Sequence, residues 1–273
     1  MGFFRPFGLS LALSLACAFG GSAWAAVPTP SPHAPAASVT PLSGPVTIGD
    51  ATVTDAPRLV QSRTQYEQGG NKGEMEIRFS SFVTKTVEGN RVTLTVKGDD
   101  FSMDMPGAAK PPEEDIRAMI SKVEAKAVID RAKGATTVSV TGGTGPTAAS
   151  VEKFAQVLAK GMFGGQTLSQ GQEVLSYNTE DLGTGAGTGL TMAVKGHVAG
   201  GASGGGRDYV VISGEGPALA QGHQIGAVSF VSYVDRLTGL PAWTHTTLTM
   251  DIPDTQNPMK MDMEQTDEVM ILE

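Results

Sequence analysis

The residues with the most chemical character in this chain are thioethers. Met259, Met261 and Met263 recur at every second position around Lys260 and Asp262, and Met103 and Met105 repeat the pattern around Asp104. On a strand that period brings the sulfurs to one face, and soft thioethers suit Cu(I). The same spacing serves a methionine-lined core or ligand cavity, because Met adapts to irregular apolar space. Lining is the favoured reading, and a copper site at Met259, Met261 and Met263 is the alternative.

Motifs for covalent chemistry fail on their context. Gly201-Ala202-Ser203-Gly204-Gly205 has the letters of a nucleophile elbow, yet Asp208 to Ile212 continue as a strand where an elbow needs a helix, so a hairpin loop is expected. Ser150-Val151-Glu152-Lys153 spells Ser-x-x-Lys at a helix start, but no Lys-Thr-Gly follows, and a capping serine is expected. Gly183 to Gly189 holds neither a Gly-Lys pair for phosphate nor the third glycine of a dinucleotide fingerprint. His33, His197, His223 and His245 form no His-x-x-x-His pair, so zinc hydrolysis has no support. Glu113, Glu114 and Asp115 fit the electropositive start of a helix better than a pair of catalytic carboxylates. No acid, base and nucleophile set emerges, no cofactor is implied, and an enzyme is not expected.

The elements that would position these residues are strands. Met75, Ile77 and Phe79 alternate with Glu74, Glu76 and Arg78, and Val92, Leu94 and Val96 alternate with Arg91, Thr93 and Lys97. Each run has an oily face and a wet one. The period returns at Leu190, Met192 and Val194, at Leu248, Met250 and Ile252, and at the methionines of 259–263. Turn chemistry at Glu88-Gly89-Asn90-Arg91, at Lys133-Gly134 and at Asp235 to Gly239 predicts hairpins, the last with Gly239 in the left-handed region. Glycines between 183 and 206 predict mobile loops on either side of a strand over 190–198. Two helices are expected, over 112–123 and 151–162, from first-turn acids and from the spacing of Val151, Phe154, Leu158 and Met162. The class is then β-rich α+β: one antiparallel curved sheet, a half-barrel or open barrel, with two helices packed on or across it.

The start of the chain carries an address. Arg5, an apolar run from Phe7 to Phe19 and Ala23-Trp24-Ala25 make residues 1–25 a signal peptide with cleavage near Ala25. The run is shorter than the roughly 20 residues of a membrane span, so no transmembrane helix is expected in the mature chain. A periplasmic or secreted location follows. The single cysteine, Cys17, offers lipoprotein anchoring as the alternative. Six prolines among Ala, Ser and Thr make 26–46 a disordered linker, which leaves 47–273 as a single β-rich domain. With 20 Lys plus Arg against 28 Asp plus Glu, net −8, there is no basic stripe for phosphates, and nucleic acid is not expected as a partner.

The leader, the amphipathic strands, the two helices and the Asp-x-x-Thr-Gly turn at Asp235–Gly239 before the Thr-rich run Thr244–Thr249 together resemble uncharacterised secreted bacterial domains. More remotely, residues 50 to 273 resemble the LolA and LppX half-barrel proteins of the cell envelope. That resemblance implies a curved sheet whose concave apolar face holds lipid or acyl chains; it transfers no functional residue. The reading is a non-catalytic periplasmic protein with Leu94, Val96, Met192, Val194, Leu248, Met250, Met261 and Met263 lining a cavity for a lipid or other apolar molecule. A module with a filled core that binds an envelope protein partner is the further alternative.

Overall fold

A computed structural model describes residues 38–104, 120–142, 162–178, 190–220, 222–252 and 258–271, with the single positions 106, 114, 118 and 159. The strands are β1 (Val46–Thr47), β2 (Val53–Gln68), β3 (Asn71–Glu88), β4 (Arg91–Asp104), β5 (Glu124–Asp130), β6 (Ala135–Thr141) and β7 (Thr167–Leu168). They continue as β8 (Glu173–Asn178), β9 (Leu190–Gly204), β10 (Arg207–Ala220), β11 (His223–Asp235), β12 (Pro241–Ile252) and β13 (Met259–Val269). Eleven of them form one antiparallel sheet in the order β6-β5-β4-β3-β2-β13-β12-β11-β10-β9-β8, curved and not closed, while β1 and β7 pair separately.

Apolar alternation and turn residues account for most of this order. Gly89 and Gly134 sit at φ 59° and 61° in the tight turns of the β3–β4 and β5–β6 hairpins, and Gly239 at φ 69° closes the β11–β12 loop. The strands are long: β2, β3 and β4 run for 16, 18 and 14 residues, against a usual strand of about five or six. Consecutive hairpins build β2–β6 and β8–β13, and the pairing of β2 with β13, from Gln68↔Met259 to Arg58↔Val269, joins the two halves at the middle of the sheet.

One expectation is corrected. The glycine-rich stretch after residue 198 is not a loop: β9 continues to Gly204 and turns at Gly205-Gly206 into β10. Glycine is tolerated there because neighbouring groups need the space. A Cβ on Gly200 would press into the Thr40 carbonyl and the Val39 side chain, and one on Gly201 would crowd Leu42. The expected loop over 183–189 lies outside the described residues. So do the two expected helices, apart from residues 114, 118 and 120–123 of the first and 159 and 162 of the second, and no helical element packs on the sheet among the described residues. The leader 1–25 also lies outside them. The expected linker is described only from residue 38, where Thr40 bridges Gly201 and Val46 begins β1.

Candidate functional site

The inner face of the sheet carries the main core. Side chains at alternate positions of β4, β9, β10, β11, β12 and β13 converge in one apolar cluster, which distant strands can share only because the sheet bends. All eight residues singled out from sequence belong to it. Leu94 and Leu248 are at 1% and 0% exposure, and the least covered of the eight, Val96, is at 6%. Across β12 and β13, Met250 stands opposite Met261 and Leu248 opposite Met263. Met192 and Val194 face inward from β9, and Leu94 and Val96 from β4. Met259 shares the face of Met261 and Met263 but is only partly buried. The alternation thus places Met261 and Met263 in the apolar wall.

A polar belt crosses that wall. The alternation that buries Met261 and Met263 next buries Gln265 and Asp267, and on β2 it buries Arg58, Ser62 and Thr64. Arg58 Nε donates to Asp267 Oδ1 at 2.8 Å and its terminal nitrogen to Oδ2 at 2.6 Å, a two-pronged pair with both side chains nearly inaccessible. Burial raises the Asp267 carboxyl above its ordinary value, with the Arg58 charge and hydrogen bonds opposing it. Ser81, the register partner of Arg58 on β3, is buried, and its Oγ has no hydrogen-bond partner. On the β11 side, Ser232 and Thr244 share a hydrogen bond of 2.8 Å.

A second ionic group closes one end of the inner face. Lys85, on β3, is fully buried and donates to Asp50 Oδ1 and to the Thr238 carbonyl. Arg131, in the β5–β6 turn, donates to Asp50 Oδ2 and, at 2.6 Å, to the Gly164 carbonyl. Asp235 caps the β11–β12 loop, accepting from the Thr238 amide at 2.7 Å, the Thr238 hydroxyl at 2.8 Å and Arg207 at 3.0 Å. Backbone bonds from Gly49 to Arg236, from Ala51 to Leu237 and from Phe163 to Gly239 complete the clasp. Gly239 is required twice over, by its positive φ and by Gly164 lying against it. Burial raises the Asp50 carboxyl, but hydrogen bonds from Arg131 and Lys85 outweigh it and hold it below its ordinary value. Burial pushes the Lys85 ammonium down, with Asp50 opposing. Beneath the clasp Ile48, Phe163, Leu168 and Leu240 fill the same apolar cluster.

The outer face holds an aromatic row. Tyr209, Tyr233 and Trp243 meet edge to face at centroid distances of 6.1 and 5.5 Å, and Trp243 stacks on His245 at 5.9 Å. Burial lowers the His245 imidazole, opposed by Glu264 at 3.6 Å. His197 is exposed on β9. Ser203, one residue before the end of β9, donates to Asp208 at 2.7 Å, the behaviour of a hairpin serine. Ser150 to Lys153 lie outside the described residues. Among the described residues no cluster of His, Cys, Asp and Glu could hold a metal, and no helix is long and apolar enough to cross a membrane.

Neither the Arg58–Asp267 pair nor the clasp was anticipated from sequence. The signal was available in the parity of the strands: Arg58, Lys85 and Asp267 each occupy a position whose neighbours two residues away point into the core.

No family model and no curated protein matches the chain. Among solved structures it is similar to lipovitellin, studied for its lipid–protein interactions, at 10% identity over 81% of this chain and TM-score 0.47. The chain spans a quarter of that protein's length, 25%. It is similar to a DUF1329 family protein from Desulfovibrio piger, at 8% identity over 97% of this chain and 92% of that one, with TM-score 0.18. It is also similar to a domain described as that of an outer membrane lipoprotein-sorting protein from Vibrio parahaemolyticus, at 12% identity over 77% and 83% of the two chains, with TM-score 0.19. That last neighbour is of the LolA-like kind the sequence resembles. At these scores the likenesses lend this chain no site and no function.

Proposed function

We propose that the chain is a non-catalytic protein of the bacterial envelope that holds a lipid or another apolar molecule against the inner face of its sheet. The observation that supports this most is the convergence of Leu94, Val96, Met192, Val194, Leu248, Met250, Met261 and Met263 on one inner face of a sheet that does not close on itself. An unclosed sheet with an oily inner face needs cover, and an apolar ligand is one source of it. Export by residues 1–25, with cleavage near Ala25, belongs to this reading, as do the linker 26–46 and the single domain 47–273; anchoring at Cys17 is the alternative route to the envelope. Native mass spectrometry of protein purified from envelopes should show a bound mass that organic extraction removes, and the extracted protein should brighten a neutral hydrophobic dye. A ligand-free species that leaves the dye dark overturns the proposal.

One observation favours a second reading, a filled core that serves a protein partner. Ile48, Phe163, Leu168 and Leu240 already occupy the clasp end of the cluster, and Leu94 and Leu248 have almost no exposure. The same experiment separates the two, because a filled core predicts the dark, ligand-free species.

A further inference from the structure

We propose that β6, one free edge of the large sheet, is a self-association site at which two copies of this chain pair strand to strand into one continuous sheet. The inference stands apart from the ligand-binding reading, because it concerns a backbone edge and not the inner wall.

A strand with one neighbour leaves half of its backbone unpaired. β6 (Ala135–Thr141) ends the sheet order and pairs only with β5 among the described residues, from Glu124↔Thr141 to Asp130↔Ala135. In an antiparallel ladder every second residue of such a strand turns its N–H and C=O away from its neighbour. The outer side of β6 is therefore a row of donors and acceptors along seven residues. Ala135, Thr136, Thr137, Ser139 and Thr141 are exposed, and Val138 and Val140 are half-buried.

The two edges of the sheet meet this liability differently. β8 carries an exposed Glu173, and its register with β9 slips between Glu173 and Leu175; a charge and an irregularity both discourage a further strand. β6 has neither defence. Its seven residues hold no charge and no proline, five are β-branched, and its ladder with β5 runs without a slip.

Self-complementarity decides the occupant. Antiparallel pairing about Val138 sets Val138 against the partner's Val138, Thr137 against the partner's Ser139, Thr136 against the partner's Val140 and Ala135 against the partner's Thr141. No like charges meet, and pairs of β-branched and hydroxyl side chains are favourable across strands. This register keeps the inner faces of both copies on one side. Val138 packs against the main apolar cluster from its margin, where it is only partly covered, and the partner's Val138 completes its cover. A foreign peptide matches the backbone without matching these side chains. Because the pairing uses the same edge in both copies, assembly closes at two.

Sedimentation of the full-length mature protein from about 5 to about 300 µM should show monomer passing into dimer and nothing larger, with little dependence on salt because no charge crosses the seam. Thr137→Lys with Ser139→Lys sets lysine against lysine and should weaken association at least about tenfold. Thr137→Glu with Ser139→Glu should do the same, and an equimolar mixture of the two variants should restore a dimer that salt now weakens. Independently of any variant, the wild-type amides of β6 should exchange with deuterium more slowly at the high concentration than at the low one, while those of β8 stay unchanged. A wild-type protein that remains monomeric throughout, an association that the lysines leave intact, growth beyond two copies, or protection gained at β8 instead of β6 each overturns the proposal. A monomer whose β6 amides become protected only when an extended peptide is added also overturns it, and gives the edge to a foreign strand.

Discussion

The two buried ionic groups of the inner face solve one electrostatic problem in opposite ways. In the clasp, Asp50 faces two cations, keeps some contact with solvent, and is held below its ordinary carboxyl value. In the belt, Asp267 has one cation, almost no solvent, and a carboxyl raised by burial. The clasp also ties chain segments together through the carbonyls of Thr238 and Gly164, whereas the belt pair spans only the neighbouring strands β2 and β13. A charged group that fastens loops is thus distinguished from one that sits on a wall the backbone already builds. The first is structural in its effect. The second carries a desolvation cost that its two-pronged contact has to offset.

The largest effect that would test this contrast is in the belt. Asp267→Leu alone leaves Arg58 buried without its carboxylate and should cost about 3–5 kcal/mol in denaturant unfolding, while Arg58→Met with Asp267→Leu should return to within about 1 kcal/mol of wild type or exceed it. A double variant as damaged as the single would show that the pair holds the fold. In the clasp, Asp50→Asn should cost about 2–3 kcal/mol, since Lys85 keeps the Thr238 carbonyl but loses its countercharge. Here no rescue is expected from adding Arg131→Met, because the two changes damage the same fastening.

Acid sharpens the comparison with the smallest signal. Asp50, depressed in the folded protein, contributes stability that is present above its unfolded value near pH 4 and is lost as pH falls through its lower folded value. Asp267 is raised, so the folded state takes up its proton first, and its contribution improves as pH falls through that raised value toward pH 4. Chemical denaturation between pH 7 and 3 should show the stability gap between wild type and Asp50→Asn narrowing on acidification. The gap between wild type and Asp267→Asn should shift in favour of wild type. Parallel slopes for the two variants would erase the distinction between clasp and belt.

Much of this architecture was legible in the chain because it is local. The period-two runs at 75–79, 92–96 and 259–263 became β3, β4 and β13 with their oily sides inward, and Gly89, Gly134 and Gly239 turn where their neighbours predict. What failed was either nonlocal or masked by composition. Arg58 and Asp267 are 209 residues apart in sequence, and nothing near either one announces the other. Lys85 sits between Val83 and Val87 at a position that points inward, but a lone lysine in an alternating strand is ordinarily read as a solvated residue. The glycines of 199–204 suggested a loop because propensity weighs backbone freedom, whereas the sheet uses small residues where neighbouring groups crowd the strand. The inward position of the eight residues from Leu94 to Met263 followed from parity alone, and parity says which side faces inward without saying what occupies the interior.

The seam between β2 and β13 has a consequence for how the molecule is made. Every other neighbour pair in the large sheet is a local hairpin or a link between successive strands, so both wings can assemble while the chain is still emerging. The seam between them waits for β13. Until Met259–Val269 arrives, the stretch of β2 from Arg58 to Gln68, eleven residues long, offers an unpaired edge to any passing strand, a hazard of the kind that holding chaperones exist to shield.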